Sequence, residues 1–291
     1  MTRVLAPFGR RAAAVTAREH HGSYVVLRCA DSEGPRPQAG QFYMLSAAER
    51  WGGGESERPF LPRAFSVLKA PPGSDELQFL IEDVGPGTKR LCELGAGDEL
   101  LLLGPLGAGF IAPREDRRPL LVGGGVGIAP LAVLQSQLES AGADSIGANA
   151  GKSAKADSFG AIPPAQVLLG FRDAAHAEGA KLLERARVCT DDGSVGHHGL
   201  VTGLLAKELD SESHTEVYAC GPPAMLEAVR ALCAERDVPA QLALESGMAC
   251  GFGACFGCVV PTRHGYVRLC IDGPVLDAAL LETAAAPGAG H

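Results

Sequence analysis

Four cysteines near the carboxyl-terminal end of the sequence have a spacing that suits metal chemistry. The segments MACGFGACFGC and RLCIDG together give the pattern C-x4-C-x2-C-x11-C over Cys250, Cys255, Cys258 and Cys270. This is the ligand spacing of plant-type 2Fe–2S clusters, with the fourth cysteine further along the chain. The glycines between them let backbone N–H groups turn toward the sulfurs. The four thiols are therefore predicted to hold a 2Fe–2S cluster.

Zinc is the alternative metal that four cysteine ligands could hold. Zinc sites of this kind usually consist of two C-x2-C pairs, and here only Cys255 and Cys258 form such a pair. The spacing therefore favours the cluster over zinc.

Two turns in the second half of the sequence predict a dinucleotide site. GGGVGIAPL follows an apolar strand and opens a helical pattern, so its backbone can approach a pyrophosphate. YACGPPAML makes an abrupt strand-to-helix turn, with a proline suited to the first helical turn. Either turn alone also fits tight packing, and Cys220 alone fits a buried small residue. The pair of turns favours a dinucleotide, with these candidate residues: Gly123, Gly124, Gly125, Gly127, Cys220 and Gly221.

The segment CTDDGSVG places Asp191 and Asp192 at the end of another strand. A carboxylate near the adenosine ribose favours its hydroxyls over a 2′-phosphate, so Asp192 predicts NAD rather than NADP. A solvated turn fits the segment equally well. Arg172, in LLGFRD, would meet either a phosphate or a surface carboxylate.

A third candidate site lies in the first half of the sequence. RAFS comprises Arg63, Ala64, Phe65 and Ser66, and GPGTKRL adds a glycine turn before a helix. Arginine can clamp a phosphate, an aromatic ring can lie against a planar ring, and serine can hydrogen-bond a ring nitrogen. RAFS by itself is also ordinary strand sequence.

The hydrophobic pattern predicts a chain with two kinds of architecture. Up to about residue 112, short apolar strands separated by Gly/Pro turns predict an antiparallel barrel or sandwich, with GTKRLCEL as its helix. From Arg118, strands alternate with helices, which predicts a parallel sheet covered on both faces. The expected domains are 1–114, 115–244 and 245–291. Residues 141–163 are rich in Gly, Ala and Ser and are expected to form a flexible surface insertion.

Composition indicates which binding partners and which cellular compartment to expect. The 291 residues carry a net charge of −8, which argues against nucleic acid or an anionic membrane surface as the main partner. The longest apolar stretch is interrupted by glycine and short for a membrane span, and the N-terminus has no apolar signal segment. A cytoplasmic location is expected, where cysteines serve in metal binding or redox chemistry rather than disulfides.

In its order of motifs the sequence resembles the ferredoxin–NADP reductase superfamily. RAFS, GPGT, GGGVGIAPL, GFR, TDDGSVG and CGPPAM follow one another along almost the whole chain, apart from the insertions. The tail MACGFGACFGCVVP with CIDGPVLDA is similar to one family within it, the electron-transfer subunits of NAD-dependent (type 1B) dihydroorotate dehydrogenases. Ala64 stands where that family often has proline.

The resemblance implies a flavin barrel, an NAD-binding α/β domain and a small 2Fe–2S subdomain. It implies that FAD is bound by these residues: Arg63, Ala64, Phe65, Ser66, Leu80, Ile81, Glu82, Gly87 and Thr88. It also implies an FMN-containing catalytic subunit as partner, two copies of each, which oxidises dihydroorotate to orotate in pyrimidine biosynthesis. No catalytic base is assigned to this chain, because no complete site for a third organic substrate is evident.

Three alternatives remain open from the sequence. The first is the flavin and 2Fe–2S subunit of an NADH-dependent ferredoxin–NADP oxidoreductase or of a sulfhydrogenase, which would have a different partner. The second is a reductase that works without a partner. The third, from a different class, is a zinc-stabilised nucleotide-binding module without redox function, which would be colourless.

Overall fold

The computed structural model describes residues 5–7, 9–52, 59–114, 116–147, 164–212 and 214–285, with the backbone alone over 141–147. Among these residues, no helix has both the length and the apolar character needed to cross a membrane.

The first half of the chain forms a closed antiparallel barrel with the strand order β1-β2-β5-β4-β3-β6. In β1 the first residues alternate between buried and exposed, as expected for a strand with one face on a core. A short helix, α1, connects β5 to β6. The elements are β1 Arg11–His21, β2 Tyr24–Ala30, β3 Phe42–Ala47, β4 Arg63–Lys69, β5 Glu76–Glu82, α1 Pro86–Cys92 and β6 Glu99–Leu106.

The second half forms a seven-stranded sheet with the order β10-β9-β8-β7-β11-β12-β15. All its pairings are parallel except the last, between β12 and β15. The inner strand β11 is buried along its whole length, because helices cover both faces of such a sheet. The elements are β7 Arg118–Gly124, α2 Ile128–Gly147, β8 Gln166–Phe171, α3 Ala174–Ala177, β9 Ala186–Thr190, β10 His197–His198, α4 Val201–Ser211, β11 Thr215–Cys220, α5 Pro223–Glu235 and β12 Ala240–Ala243.

The carboxyl-terminal segment leaves the sheet and returns to it. After β12 the chain passes through the cysteine-rich loop and a hairpin of β13 (Val259–Thr262) and β14 (Gly265–Arg268). It then forms β15 (Val275–Asp277), which pairs antiparallel with β12. The predicted fold class of antiparallel barrel, parallel-sheet α/β region and small carboxyl-terminal region is confirmed.

The structure differs from the predicted elements in two places. The pattern AEGAKLLERA predicts a helix, but the chain forms only the short α3 and a 3-10 turn over Glu178–Leu182. Here Gly179 lies against the barrel, where an added Cβ would stand 2.9 Å from the ring of Tyr24, so the chain follows the barrel surface. The other difference is that α2 continues to Gly147, into the segment expected to be a loop; residues 148–163 of that segment lie outside the described residues.

Candidate functional site

A cleft of about 1180 Å³ lies between the barrel and the parallel sheet. The barrel contributes β4, the ends of β5 and the start of α1. The sheet contributes the turns that follow β7 and β11 and the segment 244–249. The cleft therefore lies at the carboxyl ends of the parallel strands, the edge at which such sheets bind ligands.

The predicted RAFS motif lines the barrel side of this cleft. Arg63, Ala64, Phe65 and Ser66 all face it from β4. A Cβ added to Gly87 would stand 2.8 Å from Arg63 Nε, so the first turn of α1 leaves just enough room for the guanidinium.

Thr88 organises the turn that leads into α1. The N–H groups of Val84 and Gly85 both donate to Thr88 Oγ1, at 2.9 and 3.0 Å, and this hydroxyl donates to the Gly85 carbonyl. Gly87 and Thr88 themselves line the cleft. The backbone and side chains on this side can hold a phosphate next to a planar ring system.

The three residues predicted on β5 divide between the two faces of the strand. Leu80 and Glu82 line the cleft, whereas Ile81 is fully buried in the barrel core and is not among the lining residues. Alternation along a strand explains this, because neighbouring side chains point to opposite faces.

The two predicted turns of the α/β region touch backbone to backbone. A Cβ on Gly127 would stand 2.5 Å from the carbonyl oxygen of Cys220, and one on Gly221 would stand 3.1 Å from the N atom of Gly124. Only glycine permits this approach. The turns line the cleft through Gly124, Gly125, Gly127 and Cys220, whereas Gly123 and Gly221 are buried and do not line it.

The two neighbouring aspartates differ in position. Asp192 is not among the lining residues; its Oδ1 accepts hydrogen bonds from the N–H and the hydroxyl of Ser194 at 2.9 and 2.6 Å, which lowers its pKa. Asp191 lines the cleft instead. Asp192 therefore stabilises the turn, and Asp191 is the carboxylate that can contact a ligand.

A charged cluster joins the barrel to the sheet at one end of the cleft. Arg172 donates to Glu82 at 3.0 Å, and His176 lies between Glu82, at 3.3 Å, and Asp173, at 2.6 Å. The edge of the Tyr24 ring packs on His176, with the ring centroids 5.7 Å apart. Tyr24 and His176 were not singled out from the sequence, because only the packing of the two domains brings them to the cleft.

Glu245 and Cys220 line the cleft next to the sheet. Glu245 is partly exposed to solvent, and desolvation of its carboxyl in the cleft raises its pKa. Burial, followed by the charge of Glu245, raises the pKa of Cys220 well above the usual range for a thiol. Cys220 is therefore a neutral thiol at neutral pH.

The four predicted cluster ligands lie as two pairs, three of them on the cysteine-rich loop and Cys270 just after β14. Cys258 and Cys270 are buried with their Sγ atoms 3.2 Å apart, and the N–H of Cys270 points to Cys258 Sγ at 3.4 Å. Cys250 is half-buried and Cys255 is exposed, and the N–H of Gly257 points to Cys255 Sγ at 3.4 Å.

The electrostatics of the loop favour a thiolate at Cys250. Partial burial opposes ionisation, but hydrogen bonds from the backbone of Cys255, Phe252 and Ala254 and from the Cys255 side chain lower the pKa of Cys250 to about 6. Within the described residues, no three His, Cys, Asp or Glu side chains surround one common metal position. Two cysteine pairs whose sulfurs receive N–H groups suit a binuclear cluster, in which each iron takes two thiolates.

Comparison with known proteins agrees with this geometry. A family model described as the iron–sulfur cluster binding domain of dihydroorotate dehydrogenase B matches residues 245–282. The dihydroorotate dehydrogenase B (NAD(+)) electron transfer subunit of Clostridium perfringens strain 13 is 32% identical over 246 residues, which cover 84% of this chain and 87% of that relative. The corresponding subunit of Caldanaerobacter subterraneus subsp. tengcongensis is 36% identical over 248 residues, which cover 84% and 86%.

Solved structures show the same fold at lower identity. The structure of an NADH-dependent reduced ferredoxin–NADP oxidoreductase is 23% identical, with a TM-score of 0.71, and the match covers 95% of this chain and 92% of the other. A ferredoxin NADP+ reductase from Neisseria gonorrhoeae with bound FAD and NADP is 19% identical, with a TM-score of 0.58, over 78% of this chain and 91% of the other. The family predicted from the motifs is confirmed: this chain belongs to the electron transfer subunits of dihydroorotate dehydrogenase B (NAD(+)).

Proposed function

We propose that this chain carries electrons between NAD and a catalytic subunit that oxidises dihydroorotate, using FAD and a 2Fe–2S cluster. The observation that carries the proposal is that the segment leading into the cysteine-rich loop lines the cleft between the barrel and the sheet. Met248 and Ala249 line the cleft, and Cys250 follows them directly. The site residues and the three domains 1–114, 115–244 and 245–291 are part of this proposal.

The barrel side of the cleft suits FAD. Arg63 and the turn at Gly87 and Thr88 would hold its phosphates, and Phe65 and Ser66 would contact its ring system. When bound, a flavin would exchange electrons with a nicotinamide as hydride and with an iron–sulfur cluster one at a time.

The sheet side suits NAD. The backbone of Gly124, Gly125 and Gly127 would face its pyrophosphate, and Asp191 would accept hydrogen bonds from its ribose. This chain's residues bind and orient the cofactors, and no catalytic acid or base is assigned among them.

The surface beside the cysteine loop would receive the partner. Three large side chains there are exposed to solvent: Phe252 by 57%, Phe256 by 63% and Tyr266 by 79%. Arg268 lies over the Phe256 ring at 5.3 Å. Aromatic residues and arginine are enriched in protein interfaces, and clustered exposed aromatics mark such surfaces. The proposed partner is an FMN-containing dihydroorotate dehydrogenase subunit. In this proposal two copies of each chain form the complex, and the complex is cytoplasmic.

A second candidate has the same cofactors and a different partner. The likeness to the NADH-dependent ferredoxin–NADP oxidoreductase structure extends over 95% of this chain and favours a subunit of that type. The family of the more identical relatives favours dihydroorotate dehydrogenase. A zinc-binding module without redox function agrees with neither comparison.

The absorption spectrum of the chain, purified without oxygen, tests the proposal. We expect flavin bands and a broad iron–sulfur shoulder, both bleached by NADH. Cys255→Ser should remove the shoulder and keep the flavin bands. A colourless protein that contains zinc would refute the proposal.

Co-expression with the dihydroorotate dehydrogenase catalytic subunit tests the partner. Phe256→Ala combined with Tyr266→Ala should weaken co-purification and slow NADH-dependent reduction of the partner's flavin. Val195→Ser is the control, because Val195 is exposed next to β10, at the opposite edge of the sheet from β15. Co-purification with a larger iron–sulfur flavoprotein instead would support the second candidate.

A further inference from the structure

The only tryptophan of the chain lies next to the arginine of the RAFS motif. The Cζ atom of Arg63 is 5.9 Å from the centroid of the Trp51 ring, within the range of a cation–π contact. Arg63 lines the cleft, whereas Trp51 is not among the lining residues. Trp51 is half-buried and packs against the barrel core. It therefore meets the guanidinium from outside the cleft.

Two further contacts restrict Arg63. Its Nη1 donates to the carbonyl oxygen of Leu61 at 2.5 Å. The backbone of Gly87 is so close that an added Cβ would stand 2.8 Å from Nε and 3.0 Å from Cζ. The aromatic ring, the carbonyl and the glycine backbone together leave the guanidinium little freedom to move.

The position of Trp51 is set by the packing of its ring and by the contacts of the loop that carries it. Its indole N–H is buried and has no hydrogen-bond partner among the described residues. The loop is tied to the end of α1 by an ion pair between Arg50 and Glu93 at 2.8 Å. It also closes on itself, with the N–H of Gly52 donating to the Pro59 carbonyl at 2.8 Å.

We propose that Trp51 is a positioning residue that holds the Arg63 guanidinium in place for the phosphate groups of FAD. This inference rests on the proposed function. Arginine has a long, flexible side chain, and holding its planar group in advance reduces the freedom lost when a phosphate binds. Trp51 acts through Arg63 and does not contact the flavin.

Three variants of the full chain separate the aromatic contact from packing. Trp51→Leu keeps an apolar side chain but removes the aromatic face, Trp51→Phe keeps an aromatic face, and Phe60→Ala removes an exposed aromatic side chain of the same loop. The readout is the dissociation constant for FAD, measured from flavin fluorescence released on dilution. We expect about a fivefold increase for Trp51→Leu, which corresponds to about 1 kcal/mol, and values within about twofold of wild type for the other two.

The same measurement in an Arg63→Ala background tests whether Trp51 acts through Arg63. There, Trp51→Leu should weaken FAD binding no further. An equal fivefold loss in both backgrounds would show that Trp51 acts through packing alone and would overturn the inference. No loss in either background would overturn it as well. A wild-type chain without flavin would refute the proposed function itself, and the two failures are thereby distinguished.

The fluorescence of the single tryptophan gives an independent signature. In the flavin-free chain, Arg63→Ala should change the emission of Trp51, because the neighbouring cation is lost. Phe60→Ala should leave the emission unchanged. Identical spectra for Arg63→Ala and wild type would contradict the contact.

Discussion

Gly251 fixes the cysteine loop against the outside of the barrel, and its replacement gives a quantitative test of that contact. The residue has φ +78°, a conformation that side chains with a Cβ rarely adopt. An added Cβ would stand 2.5 Å from Met44 Cγ and 3.0 Å from Leu106 Cδ1, both part of the barrel. Gly251→Ala therefore combines backbone strain of about 1–2 kcal/mol with overpacking of about 1–3 kcal/mol.

We expect this destabilisation, about 2–5 kcal/mol in total, to appear in the cluster region first. Loss of the iron–sulfur absorbance on heating is the assay, because it reports on the loop directly. At about 2 °C per kcal/mol for a chain of this size, the midpoint should fall by roughly 4–10 °C. The rate at which NADH reduces the cluster should also fall, because the loop no longer lies on the barrel beside the cleft.

Gly257→Ala is the matched control on the same loop. An added Cβ there meets Cys255 Sγ at 3.5 Å, an ordinary contact, and Gly257 does not have a positive φ. Its N–H, which points to Cys255 Sγ, is kept. If both alanine variants lose their iron–sulfur absorbance at the same temperature, the contact with Met44 does not hold the loop.

Three further outcomes are expected. Desolvation raises the pKa of the Glu245 carboxyl, so stability should fall as pH rises above the ordinary value of 4.5, by a small amount because the residue is exposed to solvent; Glu245→Gln should be slightly more stable than wild type in urea at pH 8 and equal to it near pH 4. The pKa of Glu227 is lowered to about 2, first by Arg230, and its carboxylate accepts the N–H of Ala284 at 2.6 Å. Because this side chain is 32% exposed, Glu227→Gln should lower the free energy of unfolding in urea at pH 7 by only about 1–2 kcal/mol. The difference from wild type should shrink as pH falls below 4.5 toward 2. Asp191→Asn should raise the KM for NADH about fivefold, a change in steady-state kinetics that a purely structural aspartate would not produce.

The parts of the site that sequence predicts are those in which spacing or composition carries the chemistry. The four cysteines are recognisable because metal ligands require particular atoms at particular intervals. The glycine turns are recognisable because backbone approach excludes a Cβ, as Gly127 against the Cys220 carbonyl illustrates. The two architectures are recognisable for a similar reason, because strands and helices have different hydrophobic periods.

What sequence does not predict depends on contacts between distant segments. Asp191 and Asp192 are adjacent and chemically identical, and only the hydrogen bonds of Ser194 decide which one faces the cleft. Helix propensity favours a longer helix around Gly179, but packing against Tyr24 overrides it. The contact between Trp51 and Arg63 joins the connection after β3 to the start of β4, and no periodicity marks it.

The return of β15 to the edge of the sheet makes the segment between β12 and β15 an excursion whose two ends are fastened side by side. The N–H of Leu244 donates to the carbonyl of Pro274 at 2.9 Å, so the chain enters and leaves the region at one point. Strand pairing in the sheet, rather than metal binding, compensates the entropy that is lost when those ends are brought together. We therefore expect the nucleotide-binding framework to stay folded when iron is lost from this segment, because its two ends remain joined without the metal.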